Sequence, residues 1–122
     1  MAVILIVDDS PTELHLFQGM LEKNGFDTLV ADSGEEGLRQ ARNSRPDCIL
    51  MDVVMPGMNG FQATRKLTQD PQTAQIPVIM ITTKDQETDK IWGMRQGAVE
   101  YLVKPVGEKD LVAKIKAVMA AG

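Results

Sequence analysis

Short apolar runs at residues 3–7, 27–31, 47–51, 77–81 and 100–103 recur along the chain, and longer amphipathic stretches separate them. Runs this short suit strands, while the longer stretches carry apolar side chains at helical spacing. A strand buried on both faces reads as an unbroken apolar run, as in parallel sheets whose crossovers are helices. The alternation therefore predicts βα units around a parallel sheet, an α/β chain. Right-handed crossovers then place helices on both faces of that sheet.

Local signals punctuate the helices. Ser10 is a cap with Pro11 at the first helical position, Leu14, Phe17 and Leu21 face inward, and Gly25 closes the end. The stretch SGEE at 33–36 reads as a capping box. Gly60 precedes a third helix carrying Phe61, Ala63, Thr64 and Leu67, which stops near Asp70-Pro71. A fourth runs from Gln86 to Gln96 and ends at Gly97. The last covers 107–120, with Leu111, Val112, Ile115, Val118 and Met119 on one stripe. On the fourth helix Ile91 and Trp92 are adjacent and cannot face the same way. If Ile91 packs inward, Trp92 is exposed and becomes a candidate partner contact. These elements use nearly all of the 122 residues, so the expectation is a single domain over 1–122 with no output domain.

Totals remove several functions. A formal net charge of −4 argues against wrapping nucleic acid or lying on an anionic membrane. The apolar start, Val3 to Val7, is too short for a signal segment or a membrane span, which makes the cytoplasm the expected location and membrane insertion unexpected. Cys48 is the single cysteine and lies in the apolar run CILM, where it reads as core. His15 is the single histidine and reads as a surface or packing residue. The eight methionines read as flexible filler.

Ligands of open α/β sheets bind outside the carboxyl ends of the strands. Four of the apolar runs end in polar groups there: the first in Asp8-Asp9, the third in Asp52, the fourth in Thr82 and the fifth in Lys104. Two carboxylates about 4 Å apart repel by roughly 4 kcal/mol at an effective dielectric near 20. A third demands relief, either by protonation with a raised pKa or by a cation. Oxygen ligands without histidine or thiolate favour Mg²⁺ over zinc. If one carboxylate accepts a phosphoryl group, the product is an acyl phosphate. Mg²⁺ and the Lys104 ammonium would supply positive charge, and Thr82 a hydrogen bond. Asp8, Asp9 and a dianionic phosphoryl then carry roughly −4 against +3, a near balance. Physics alone leaves the acceptor open; Asp52 is the choice because it stands alone on its strand, whereas the adjacent pair suits metal.

These motifs together, DD at 8–9, MD at 51–52 followed by MPGMNG, IT at 81–82 and KP at 104–105, resemble the response-regulator receiver domain, over essentially the whole chain. The resemblance implies a (βα)5 doubly wound, flavodoxin-like or CheY-like fold with parallel strand order 2-1-3-4-5. Within the family, TTKDQETDK at 82–90 and GFQATR at 60–65 are similar to the stand-alone regulators of twitching motility. By matching position, Asp52 is implied as phosphoacceptor. Asp9, Asp52 and the Val54 carbonyl are implied as Mg²⁺ ligands, with Asp8 acting largely through water. Lys104 is implied to pair with the phosphoryl group, with a cis bond to Pro105. Thr82 is implied to move to a phosphoryl oxygen and Tyr101 to swing inward behind it.

The implied donor is a chemotaxis-like histidine kinase. The implied downstream protein target would use the face of the fourth helix, fifth strand and fifth helix, Trp92 and Tyr101 included, with the chain a monomer or weak dimer. Such a chain is no enzyme beyond its own phosphorylation and dephosphorylation. Apolar Val54, Lys84 two residues past Thr82, and Thr83 in place of a small residue depart from the motility-switch members, and each bears on hydrolysis or donor access. Competing readings are a phosphate sink for a sister regulator, an interaction module that is never phosphorylated, and a magnesium phosphohydrolase. The last resembles a DxDxT pattern where DDS and DVV stand instead, and no Gly-rich nucleotide loop is present.

Overall fold

Strands and helices alternate in the computed structural model, which describes residues 2–121. Their order is β1 (Val3–Val7), α1 (Pro11–Lys23), β2 (Asp27–Ala31), α2 (Gly34–Ser44), β3 (Cys48–Met51), α3 (Gly60–Gln69), β4 (Val78–Thr82), α4 (Glu87–Arg95), β5 (Glu100–Val103) and α5 (Glu108–Ala121). All strand pairs are parallel, and the sheet order is β2-β1-β3-β4-β5, the order that the family resemblance implied. Element ends shift by a residue or so: β3 begins at Cys48, and β4 takes in Thr82 as its last residue.

Side-chain alternation along the strands sorts the core into two layers. Ile4 and Ile6 of β1, Cys48 and Leu50 of β3, and Ile79 and Ile81 of β4 pack against Phe17 and Leu21 of α1 and Leu111, Val112 and Ile115 of α5. The intervening residues Leu5, Val7, Ile49, Met51 and Val78 pack against Leu38 and Ala41 of α2 and Ala63 and Leu67 of α3. Each such aliphatic side chain, taken fully out of water, contributes about 1.5–3 kcal/mol. Cys48 is fully buried, and His15 is exposed on α1.

The expected helix signals hold, with informative exceptions. Ser10 Oγ accepts the Glu13 amide with Pro11 following, and Gly25 takes a left-handed φ of 88° just past the end of α1. At α2 only half of the capping box forms. Ser33 Oγ accepts the Glu36 amide at 3.1 Å, but the Glu36 carboxylate pairs with Arg39 one turn on. The reciprocal box instead opens α3, where Asn59 and Gln62 exchange side-chain bonds, so Gly60 lies inside that helix rather than before it. On α4 the condition that Ile91 packs inward is not met: it is 46% exposed, and Trp92 is exposed as well, at 47%. The buried residue of this helix is Gly93, since a Cβ there would stand 2.7 Å from Met80 Sδ and 3.0 Å from the Tyr101 ring. The helix therefore packs on its backbone, which leaves both large side chains outside.

Gly60 governs how α3 meets the exit of β3. Its amide donates to the Val53 carbonyl at 2.9 Å, and a Cβ there would collide with the Asp52 carbonyl oxygen and lie 2.7 Å from Val53 Cα. Backbone cannot yield as a flexible side chain can, so Gly60→Ala forces α3 away from the strand. Thermal unfolding of Gly60→Ala should show Tm lowered by roughly 5–10 °C; an unchanged Tm contradicts this packing.

Candidate functional site

Register alone brings the polar strand ends together. Val7 pairs with Met51, so Asp8 and Asp52 leave the sheet at the same level. The Asp8 amide donates to Ala31 O at 3.1 Å, Asp52 to Val7 O at 2.9 Å, and Lys104 to Thr82 O at 2.8 Å. These bonds carry the parallel ladder one residue beyond the strands. The same alternation that turns Ile6, Leu50 and Leu102 toward α1 and α5 turns Asp8, Asp52 and Lys104 to that side. Thr82 and Tyr101 have the opposite parity, which Met80 and Tyr101 share in the cluster beneath α4.

One oxygen from each of Asp8, Asp9 and Asp52 lies within 4.8 Å of the others. Asp8 and Asp52 are buried, at 3% and 7% exposure, while Asp9 is exposed. Lys104 Nζ reaches into this group: it is 3.0 Å from Asp8 Oδ2, 3.6 Å from Asp52 Oδ1 and 3.5 Å from Glu13 Oε1. It also lies 5.9 Å from the centroid of the Phe17 ring. The other oxygen of Asp8 accepts the Ser10 amide at 2.9 Å. The Lys104-Pro105 bond is cis.

Burial and then the charge of Asp8 push the Asp52 carboxyl up to about 6, against the opposing pull of Lys104 and the Val53 amide. For Lys104, burial works to lower the pKa. The hydrogen bond to Asp8 and the charges of Asp52, Asp8 and Glu13 outweigh it, so the ammonium is held above its ordinary value. The group is thus an acceptor-rich pocket with one firmly charged cation. Its donor set fits a hard cation: the clustered ligand atoms are all carboxylate oxygens, with neither histidine nor cysteine in the group. An ion there would relieve the repulsion that Lys104 alone leaves in place.

Thr82 ends β4 fully buried, and its Oγ1 accepts the Lys84 amide at 3.2 Å. Tyr101 is buried and already turned inward, its hydroxyl donating to the Lys84 carbonyl at 2.8 Å. Burial, with the charges of Asp89 and Asp85, pushes its phenol up to about 12, so it is a donor at neutral pH. Val54 lies in the loop leaving β3 with its side chain 56% exposed. Trp92 is exposed, as are Ile91 and Met94 of α4, Val99, and Val103 of β5.

Glu13 and Phe17 were not singled out as site residues from sequence. A carboxylate in a first helical turn is explained by the helix dipole, and an aromatic facing inward is explained by the core, so neither raises a separate signal. Only the tertiary approach of Lys104 gives them a second role.

The family described as "Response regulator receiver domain" matches residues 4–116. Protein PilH of Pseudomonas aeruginosa is 61% identical over 120 residues, covering 98% of this chain and 99% of that protein. Among solved structures, chemotaxis protein CheY4 of Vibrio cholerae superposes with a TM-score of 0.91 at 33% identity, covering 97% of this chain and 98% of that one. The receiver domain of the sensor histidine kinase PA1611 of Pseudomonas aeruginosa has a TM-score of 0.91 at 27% identity, with 98% of each chain covered, and was solved with a magnesium ion coordinated in its active-site cleft.

Between about pH 4 and 6 the folded chain holds a proton on Asp52 that the unfolded chain has released, so this group's contribution to stability falls as pH rises through that window. Asn at this position has no such loss. In metal-free buffer the Tm of Asp52→Asn should exceed that of wild type by a few degrees near pH 7, and the gap should close toward about pH 4. Thermal scans across that range check it, and a gap that widens on acidification contradicts it.

Proposed function

The chain belongs to the response regulator receiver family, and from that premise we propose that it is a stand-alone phosphoacceptor switch whose acceptor is Asp52. The observation that carries this reading is the placement of one ammonium, Lys104, within 3.0 Å of Asp8 and 3.6 Å of Asp52. That ammonium already offsets part of the repulsion among the carboxylates, and it stands where the oxygens of a group bonded to Asp52 would meet it. Asp9, Asp52 and the Val54 carbonyl would hold Mg²⁺, with Asp8 acting largely through water. A bound Mg²⁺ would supply positive charge to the carboxylates and to the oxygens of the transferring group.

The chain's own residues do the remainder. An Asp52 Oδ atom bonds to phosphorus while the phosphorus–nitrogen bond of a donor phosphohistidine breaks. The electron pair returns to the donor imidazole, which takes up a proton from solvent. Lys104 pairs with the phosphoryl oxygens and Thr82 donates its hydroxyl proton to one of them. The product is a mixed anhydride, which this chain loses by hydrolysis at the same site; it turns over no other substrate.

Output follows from what touches Thr82. Its Oγ1 bonds the Lys84 amide and the Lys84 carbonyl holds Tyr101, so a shift of Thr82 toward a phosphoryl group pulls on the segment that leads into α4. The exposed apolar residues of α4 and β5, Trp92 among them, are the proposed partner surface, extended by α5. Similarity to PilH and to the twitching-motility regulators favours a chemotaxis-like histidine kinase as donor and type IV pilus motility as the output, in the cytoplasm. No described helix is long and apolar enough to cross a membrane.

Incubation with acetyl phosphate and Mg²⁺, read by intact mass, is the test. Wild type should gain one phosphoryl increment, chelation of the metal should abolish it, and Asp52→Asn should gain none. An adduct that persists in Asp52→Asn, or its absence from wild type, contradicts the assignment.

A further inference from the structure

Helix α4 is held very unequally at its two ends. At its C-terminal end the Thr68 hydroxyl of α3 donates to the Gln96 carbonyl at 2.8 Å. Gln96 and Ala98 are buried, and the chain leads on into β5 with the Val99 amide bonded to Val78 O at 2.9 Å. Gly97 turns there with a φ of 110°, and a Cβ on it would collide with Thr68 Cγ2. The Thr68 side chain thus meets this end of the helix through both its hydroxyl and its methyl.

The N-terminal end has no such hold. From Thr83 to Trp92 every residue is exposed except the half-buried Asp89. The Gln86 and Asp89 capping box and the ion pair of Lys84 with Asp89 at 3.7 Å are internal to this stretch. Both of its bonds to the sheet fall on Lys84, whose amide donates to Thr82 Oγ1 and whose carbonyl accepts the Tyr101 hydroxyl. From Asp85 to Trp92, no hydrogen bond or ion pair among the described residues joins the chain to another strand or helix. Gly93, packed on Met80 and Tyr101, marks where the hold begins. A short helix fixed at one end and tied at the other through a single residue moves by swinging about its fixed end.

Resting on the phosphoacceptor reading above, we infer that Thr68 is a positioning residue: it pins the C-terminal end of α4, so that a displacement begun at Thr82 and Lys84 is confined to the N-terminal half of the helix. The exposed side chains before Gly93, Ile91 and Trp92, then move relative to Val99 and Val103 beyond the pin. The partner surface changes shape instead of shifting as a block. Thr68 acts through Gln96 and touches none of the reacting groups.

The test follows amide hydrogen exchange by NMR in the full chain with Mg²⁺, before and after saturation with beryllofluoride, a tetrahedral stand-in for a phosphoryl group on a carboxylate. The amides of Asp89 and Lys90, both bonded to Gln86 O, report the free half; those of Gln96, Gly97 and Ala98 report the pinned end. In wild type, beryllofluoride should change exchange in the first set and leave the second unaltered. Thr68→Val keeps the shape and loses the donor. Its second set should exchange roughly tenfold faster, because the Gln96 carbonyl is left unpartnered, and should now respond to beryllofluoride as well. Thr68→Ser keeps the hydroxyl and should restore the wild-type pattern. Faster exchange in Thr68→Val with no new response to beryllofluoride marks a merely structural bond and overturns the inference. So does a wild-type response that already runs through Ala98, or a Thr68→Ser chain that behaves like Thr68→Val. Wild type whose fluorine spectrum shows no bound beryllofluoride overturns the phosphoacceptor reading and this inference with it; wild type that binds without change at Asp89 and Lys90 overturns this inference alone.

Discussion

Mutual repulsion among carboxylates that the sheet does not let separate is the constraint from which the site takes its character. Asp8 and Asp52 follow paired residues of adjacent parallel strands, and their amides are bonded to Ala31 and Val7. Neither Cα can move far without unpicking the ladder. A carboxylate pair at this spacing costs several kcal/mol when both are ionised and partly desolvated. One ammonium, Lys104, offsets part of that cost, and the pKa of Asp52 at about 6 records what remains uncompensated, together with burial. A fold selected for stability alone would not place acids here; local conflict of this kind belongs with function.

The rest of the architecture holds that conflict in place. Aliphatic residues on both faces of β1, β3 and β4 fix the strands. Gly60 lets α3 close against the Asp52 carbonyl, and the Ser10 cap starts α1 so that its first turn faces Lys104. On the opposite parity, Thr82, Lys84 and Tyr101 form a hydrogen-bonded series that ends under α4 at Gly93. The two parities divide the labour. Residues facing α1 and α5 manage charge, and residues facing α4 link the end of β4 to that helix through hydrogen bonds and packing. With Tyr101 already inward in the resting chain, its position records packing against Gly93 as much as any chemistry at Asp52.

Much of this was legible in the sequence because strands buried on both faces announce themselves as apolar runs and end where polarity returns. Asp8, Asp52, Thr82 and Lys104 were read at strand ends and lie there. What escaped depends on tertiary approach. Nothing in the local pattern of α4 says that Gly93 and not Ile91 meets the sheet, since the choice is made by the Tyr101 ring on β5. Glu36 fits a capping box by spacing, yet Arg39 at the next turn offers it a charged partner. Glu13 has an ordinary explanation as a first-turn acid, and only the reach of a lysine from the far end of the chain gives it another.

Magnesium uptake measured by titration calorimetry bears most directly on the central claim, that acids from β1 and β3 are held together for a cation to join. The account predicts one ion per chain near neutral pH, with affinity falling steeply once Asp52 protonates below about pH 6, and loss of binding in Asp9→Asn. Binding that is absent, or that is indifferent both to acidification and to the loss of Asp9, would contradict it.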